Sequence, residues 1–280
     1  MKLQDNKIGI YEKAIPNAFN WNQKIKAAKE AGFDFIEISV DESDERLGRL
    51  NWTKAQRNDL VKLLQDNNMY LQSMCLSGHR KYPFGSSDEK TRAKAYELID
   101  KGIDLALDLG VKNIQLAGYD VYYEESTPES LALFIEGLKY SARKAEEMGI
   151  MLTIEIMDTW LIGTISRGLE YVNEVNSPNL QLYPDLGNLT QWCDDPSKEL
   201  ELGINHIEAI HLKDTKPGIF KCVPFGSGTV KFEELFQTLR KLEYEKPFLI
   251  EMWADNDREY SHSDCVKELK EAKKWLYSRM

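Results

Sequence analysis

Cysteine and histidine are scarce in this chain, and no apolar run is long. The four cysteines, Cys75, Cys193, Cys222 and Cys265, form no C-x-x-C pair. That excludes a thiolate zinc knuckle, and 280 residues can bury a core without disulfide staples. We read them as reduced thiols, mostly packing residues. No stretch approaches the roughly 18 apolar residues that span a bilayer, and MKLQDNKIGIYEKAIP at the N-terminus lacks the apolar centre of a signal peptide. The expectation is a cytoplasmic protein without a membrane partner. Basic blocks are missing too: 36 Lys and Arg against 46 Asp and Glu leave a formal charge of -10, an unfavourable surface for nucleic acid. Nor does any Pro/Gly/Ser-rich linker divide the chain, so residues 1–280 read as a single domain.

What recurs is a unit of amphipathic helix, breaker and short β-branched run, as in AAKEAGFDFIEISV, LALDLGVKNIQLAG and KAEEMGIMLTIEIM. Gly32, Gly110 and Gly149 stand where each helix needs a left-handed residue to stop. Candidate strands fall at 7–13, 33–40, 70–77, 111–118, 150–157, 180–187, 207–214 and 247–253. Near-continuous apolar runs suit parallel strands covered on both faces. Eight units of about 35 residues account for the 280 and predict an α/β protein, a (β/α)8 TIM barrel. A doubly wound sheet would need a glycine-rich first turn, which is missing.

In such a barrel the active site forms at the C-terminal ends of the strands. Four successive strands carry a polar residue there: Glu155 in LTIEIMD, Asp185 in LYPDLGN, His211 in EAIHLKD and Glu251 in FLIEMWA. Three converging carboxylates would repel one another unless a cation lay between them. Oxygen-rich ligation with one nitrogen predicts one divalent metal ion, Zn, Mn, Co or Mg. Glu37, late in strand 2, is a further inward candidate. After strand 3, His79 and Arg80 in LSGHRKYPFGSS suit a phosphate or sugar hydroxyls. The patternless loop after strand 7 places Lys213, Lys216 and Lys221 around a G-S-G turn, where barrels often bind phosphate. His206 and His262 read as surface or capping residues.

EIMDT (155–159), LYPDLGNLTQW (182–192), HLKDTKPGIF (211–220), VPFGSG (223–228) and LIEMW (249–253) together resemble the 3-epimerases of L-xylulose or L-ribulose 5-phosphate, within the xylose-isomerase-like barrels. SGHRKYPFGS (77–86) and FDFIEISVDE (33–42) extend the resemblance over most of the chain. It implies a metal on Glu155, Asp185, His211 and Glu251, with Glu155 and Glu251 also the catalytic acid/base pair that removes the C3 proton and returns it through an enediolate. Asn188, His79 and Lys216 are the implied substrate contacts, with Arg80, Glu37 and Ser227 beside them. Ser227 departs from the pattern, which expects glutamate between the two glycines. A homodimer acting on a small sugar phosphate is implied as well. The alternatives are a 3-epimerase or isomerase of non-phosphorylated ketoses, or a noncatalytic sugar-binding barrel.

Overall fold

The computed structural model describes residues 2–280. Eight parallel strands form one sheet: β1 (Ile8–Tyr11), β2 (Phe35–Ser39), β3 (Leu71–Leu76), β4 (Asn113–Leu116), β5 (Met151–Glu155), β6 (Leu180–Tyr183), β7 (Ile210–Leu212) and β10 (Phe248–Ile250). They run in the order β6-β5-β4-β3-β2-β1-β10-β7. The end strands meet through single parallel bridges, Leu182 with Ile207 and Asp185 with His211, which close the barrel. Helices cover the outside: α1 (Trp21–Glu30), α2 (Asp44–Leu47), α3 (Lys54–Asp66), α4 (Glu89–Leu109), α5 (Pro128–Met148), α6 (Ile165–Val175), α7 (Leu186–Trp192), α8 (Pro196–Gly203), α9 (Phe232–Lys241) and α10 (His262–Tyr277). The expected (β/α)8 architecture is observed.

The punctuation read from sequence is physical. Gly110 and Gly149 cap α4 and α5 at φ 74° and 66°, and Gly32 lies at φ 82°, left-handed values a Cβ would resist. Most of the core lies between sheet and helices, where Ile10, Ile36, Ile114, Ile154 and Leu182 are fully buried or nearly so. Each such side chain contributes about 1.5–3 kcal/mol. The barrel interior is smaller and more mixed. Phe35 fills it so closely that a Cβ on Gly9 would come within 2.1 Å of its ring, which is why β1 carries glycine. Around it the inward positions are polar: Glu37, Ser73, Asn113, Gln115 and Thr153 are all buried.

The strands are shorter than their apolar runs because the chain leaves the barrel as soon as it reaches the mouth. Beyond β7, the expected patternless loop is instead an antiparallel hairpin, β8 (Asp214–Lys216) with β9 (Ile219–Val223). Its turn is Pro217-Gly218, with Gly218 at φ 72°. The P-G dipeptide between two extended runs was the available signal.

Candidate metal centre and active site

Glu155 ends β5, His211 lies on β7, Glu251 follows directly on β10, and Asp185 lies two residues past the end of β6. All four are buried, and one ligand atom from each lies within 4.8 Å of the others. His211 Nδ1 is 3.5 Å from Glu155 Oε1, 3.5 Å from Glu251 Oε2 and 3.8 Å from Asp185 Oδ2. Ligands sharing one cation with bonds of about 2.1 Å stand about 3.4 Å apart; the His211 distances come near that, and the four residues could hold one ion. His211 Nδ1 is buried without a hydrogen-bond partner, another mark of a cation's donor set.

Asp185 is fixed locally: as N-cap of α7 it accepts the Asn188 N–H at 2.7 Å. Asn188 in turn donates its amide to the Ile156 carbonyl at 2.9 Å, leaving its buried Oδ1 without a partner. On the far side of His211, Glu37 Oε1 stands 3.4 Å from Nε2.

Lys213, expected from sequence only as one lysine of the loop after strand 7, belongs to the cluster itself. Its ammonium is buried 3.1 Å from Asp185 Oδ2 and 3.0 Å from Glu251 Oε2. Two residues past His211 on an extended segment, it faces the same side, and that alternation was the signal. Burial pushes the Glu155 and Asp185 carboxyls up. Burial works in the same direction on Glu251, but Lys213, His211 and Asp185 together outweigh it and draw that carboxyl well below the usual range.

The remaining expected residues are placed unevenly. Arg80 lies over the Tyr122 ring at 4.6 Å, with Glu42 at 3.8 Å. Arg80 Nε, Tyr119 Oη and Asp158 Oδ1 are buried and unpartnered, all on loops that follow β3, β4 and β5 at the mouth. Burial raises the Tyr119 hydroxyl, with Arg80 pulling it down and Glu155 pushing it up, so it feels both groups. Neither Tyr119 nor Asp158 interrupts a strand, so nothing in the sequence singled them out.

His79 is placed elsewhere. Its Nε2 lies 3.1 Å from the Ala95 carbonyl of α4, its ring stacks on Phe84 at 4.6 Å, and burial lowers its pKa to about 4. It anchors a helix, which corrects its expected role as a substrate contact. Ser227 is exposed and outside the cluster, and the backbone N–H groups of Gly226 and Gly228 both donate to Asp214 Oδ2 at 2.9 Å. The glycine loop thus already holds an anion, the chain's own carboxylate. Lys216 and Lys221 are exposed on the hairpin and make no ion pair among the described residues. Of the three tryptophans near strand ends, Trp253 walls a cavity of about 840 Å³ that Lys213, Phe225, Glu251 and Trp275 also line. Trp192 donates to the Met157 carbonyl at 3.1 Å, and Trp160 is exposed beside Arg167.

A sequence profile described as "Xylose isomerase-like TIM barrel" matches residues 25–279. The chain is 47% identical over 273 residues to the L-ribulose-5-phosphate 3-epimerase UlaE of Escherichia coli K12, covering 98% of this chain and 94% of the relative. Among solved structures, a D-allulose 3-epimerase from Methylomonas sp. superposes with a TM-score of 0.79 at 21% identity, covering 98% of this chain and 97% of that one. An L-ribulose 3-epimerase superposes with a TM-score of 0.75 at 19% identity, over 98% and 95% of the two chains. At these identities the two structures show a shared fold.

Proposed function

Because the chain belongs to the xylose isomerase-like TIM-barrel family, we propose that it is a metal-dependent 3-epimerase of L-pentulose 5-phosphates, interconverting L-xylulose 5-phosphate and L-ribulose 5-phosphate. The observation that carries this reading is the convergence of Glu155 and Glu251, from strands three apart around the barrel, each 3.5 Å from the same nitrogen of His211. Epimerisation beside a ketone needs an acid/base group on each face of C3, and two carboxylates reaching one point from different parts of the ring meet that need. A divalent cation, Zn, Mn, Co or Mg, held by Glu155, Asp185, His211 and Glu251 would supply positive charge to the carbonyl and neighbouring hydroxyl oxygens.

The chain's own groups do the rest. Glu155, raised by burial, exchanges a proton with one face of the substrate. Glu251, kept ionised by Lys213 and His211 together, serves the other face. Asn188 Oδ1 is an acceptor for a substrate hydroxyl. Arg80 with Tyr119 and Asp158 offers donors and an acceptor together, a set suited to hydroxyls, since Glu42 and Asp158 offset the Arg80 charge. Lys216, exposed on the hairpin, is the proposed phosphate contact. A homodimer in the cytoplasm completes the proposal; no described helix is long and apolar enough to cross a membrane.

One observation favours a second reading, a 3-epimerase of non-phosphorylated ketoses. The cavity beside Glu251 is also lined by Asp255, Asp257, Glu268 and Glu271, with Lys213 the one cation among the described lining residues, which is unfavourable for a phosphate dianion. Turnover of L-xylulose 5-phosphate and of free L-xylulose, followed by NMR in deuterated water, separates the two. Deuterium entering C3 of the phosphate ester faster than of the free sugar supports the first reading, the reverse preference supports the second, and no exchange into either defeats both.

A further inference from the structure

Glu37 is the carboxylate of this cluster that lies outside the ligand set, and it is fully buried. Its Oε2 accepts a hydrogen bond from Ser73 Oγ at 2.5 Å, so one oxygen is committed to β3. The other, Oε1, faces His211 Nε2 at 3.4 Å. In the sheet order β2 is separated from β7 by β1 and β10, so the two side chains meet through the barrel interior. An ionised carboxylate there costs several kcal/mol unless something partners it. Ser73 and His211 are what it faces.

The imidazole is held from three directions. The Tyr183 ring packs against it, with centroids 4.3 Å apart and planes at 57°. Nε2 lies 3.4 Å from Glu37 Oε1, both atoms buried and with no hydrogen bond in this geometry, and Nδ1 lies 3.5 to 3.8 Å from the carboxylates of Glu155, Asp185 and Glu251. A neutral imidazole has one N–H and one lone pair, and which nitrogen keeps the proton depends on what each nitrogen faces. Beside a carboxylate the proton belongs on Nε2, which leaves the Nδ1 lone pair for a ligand.

We propose that Glu37 is a positioning residue that holds His211 as its Nε2–H tautomer, so that Nδ1 is the nitrogen presented to a divalent cation. This rests on the metal-site reading above, and it reassigns Glu37 from the substrate contact expected from sequence. Ser73 takes one carboxylate oxygen and the other faces His211 Nε2, so neither is left for a sugar hydroxyl. Partners of this kind typically change metal affinity 10- to 100-fold.

The test uses the full chain and zinc. Chelator competition compares the wild type with Glu37→Gln, which keeps an acceptor oxygen but loses the charge, and with Glu37→Ala. Zinc affinity is expected to fall in that order, about 10- to 100-fold for alanine, while KM for the ketose phosphate at saturating zinc stays the same. Nitrogen-15 NMR of the zinc-loaded wild type is expected to show a metallated Nδ1 and a protonated Nε2 on His211; this measurement stands even if the variants fail to fold. Unchanged zinc affinity in the alanine variant, a metallated Nε2, or a raised KM with normal zinc affinity would each overturn the role of Glu37. A wild type that binds no divalent cation would overturn the metal site itself, a distinguishable failure.

Discussion

Asp214 and Gly228 are fitted to each other: the Asp214 carboxylate accepts the Gly228 N–H at 2.9 Å, and a Cβ on Gly228 would stand 2.0 Å from Asp214 Oδ1. The same carboxylate takes the N–H groups of Gly226 and Thr215 at 2.9 and 3.0 Å. One buried side chain therefore folds the whole segment that follows the hairpin. Asp214→Ala strands these donors and should cost about 1–3 kcal/mol, read by urea denaturation, with residues 224–230 gaining the most in hydrogen exchange. Gly228→Ala should do similar damage by collision. Ser227→Glu, at an exposed position between the two glycines, should stay within about 0.5 kcal/mol of the wild type. A large loss there would mean that Ser227 supports the loop.

The acid/base assignment makes Glu155 and Glu251 separately indispensable. Glu155→Gln and Glu251→Gln should each lower kcat about 10²- to 10⁴-fold. Circular dichroism should show folded protein in both cases. Full activity in either variant would remove that residue from the mechanism.

Removal of the divalent cation should lower both activity and Tm. A ligand bound only by the folded state adds about 2.7 kcal/mol at a concentration one hundred times its Kd. Treatment with a chelator followed by zinc should therefore lower and then restore the melting temperature. In Asp185→Asn the zinc-dependent rise should shrink, and a rise as large as in the wild type would argue for a different site.

Arg80 and Tyr119 are expected to read hydroxyls. Tyr119→Phe and Arg80→Met should lower kcat/KM by about 10- to 100-fold, the equivalent of one hydrogen bond to a charged or buried partner. The loss should be alike for the 5-phosphate and the free ketose, with inhibition by inorganic phosphate unchanged. A loss confined to the phosphorylated substrate would instead make Arg80 the phosphate anchor.

His79 gives the fold a built-in acid sensitivity. Its folded-state pKa is about 4, lowered by burial, against about 6.5 for the free side chain. The unfolded chain takes up the proton first on acidification, so the contribution is complete above pH 6.5 and is lost as pH falls toward 4, up to about 3 kcal/mol. His79→Gln keeps a donor for the Ala95 carbonyl but cannot titrate. Urea midpoints at pH 7 and pH 5 should differ less in the variant than in the wild type.

These residues also show what was legible in the linear chain. The barrel was readable because β-branched runs and left-handed glycines repeat at a steady spacing, each answering a local demand of strand or helix end. The buried cluster was readable because Glu155, Asp185, His211 and Glu251 each interrupt an apolar run near the mouth end of a strand. His79 misled because charge and proximity in sequence say nothing about which way a ring turns, and here it turns into α4. The glycine loop misled because a nest of N–H groups looks the same whether its anion is a ligand or an aspartate twelve residues earlier. Tyr119 and Asp158 were invisible because loops carry no periodicity against which a functional residue would stand out.

The barrel closes where its sheet is thinnest. Between β6 and β7 the chain is joined by the His211 N–H to the Pro184 carbonyl at 2.8 Å and the Glu208 N–H to the Leu182 carbonyl at 3.0 Å, rather than by a full ladder. Asp185 and His211 stand on opposite banks of that seam. A cation held by both would work as a clasp, adding an electrostatic tie across a seam where the backbone ladder is reduced to two hydrogen bonds.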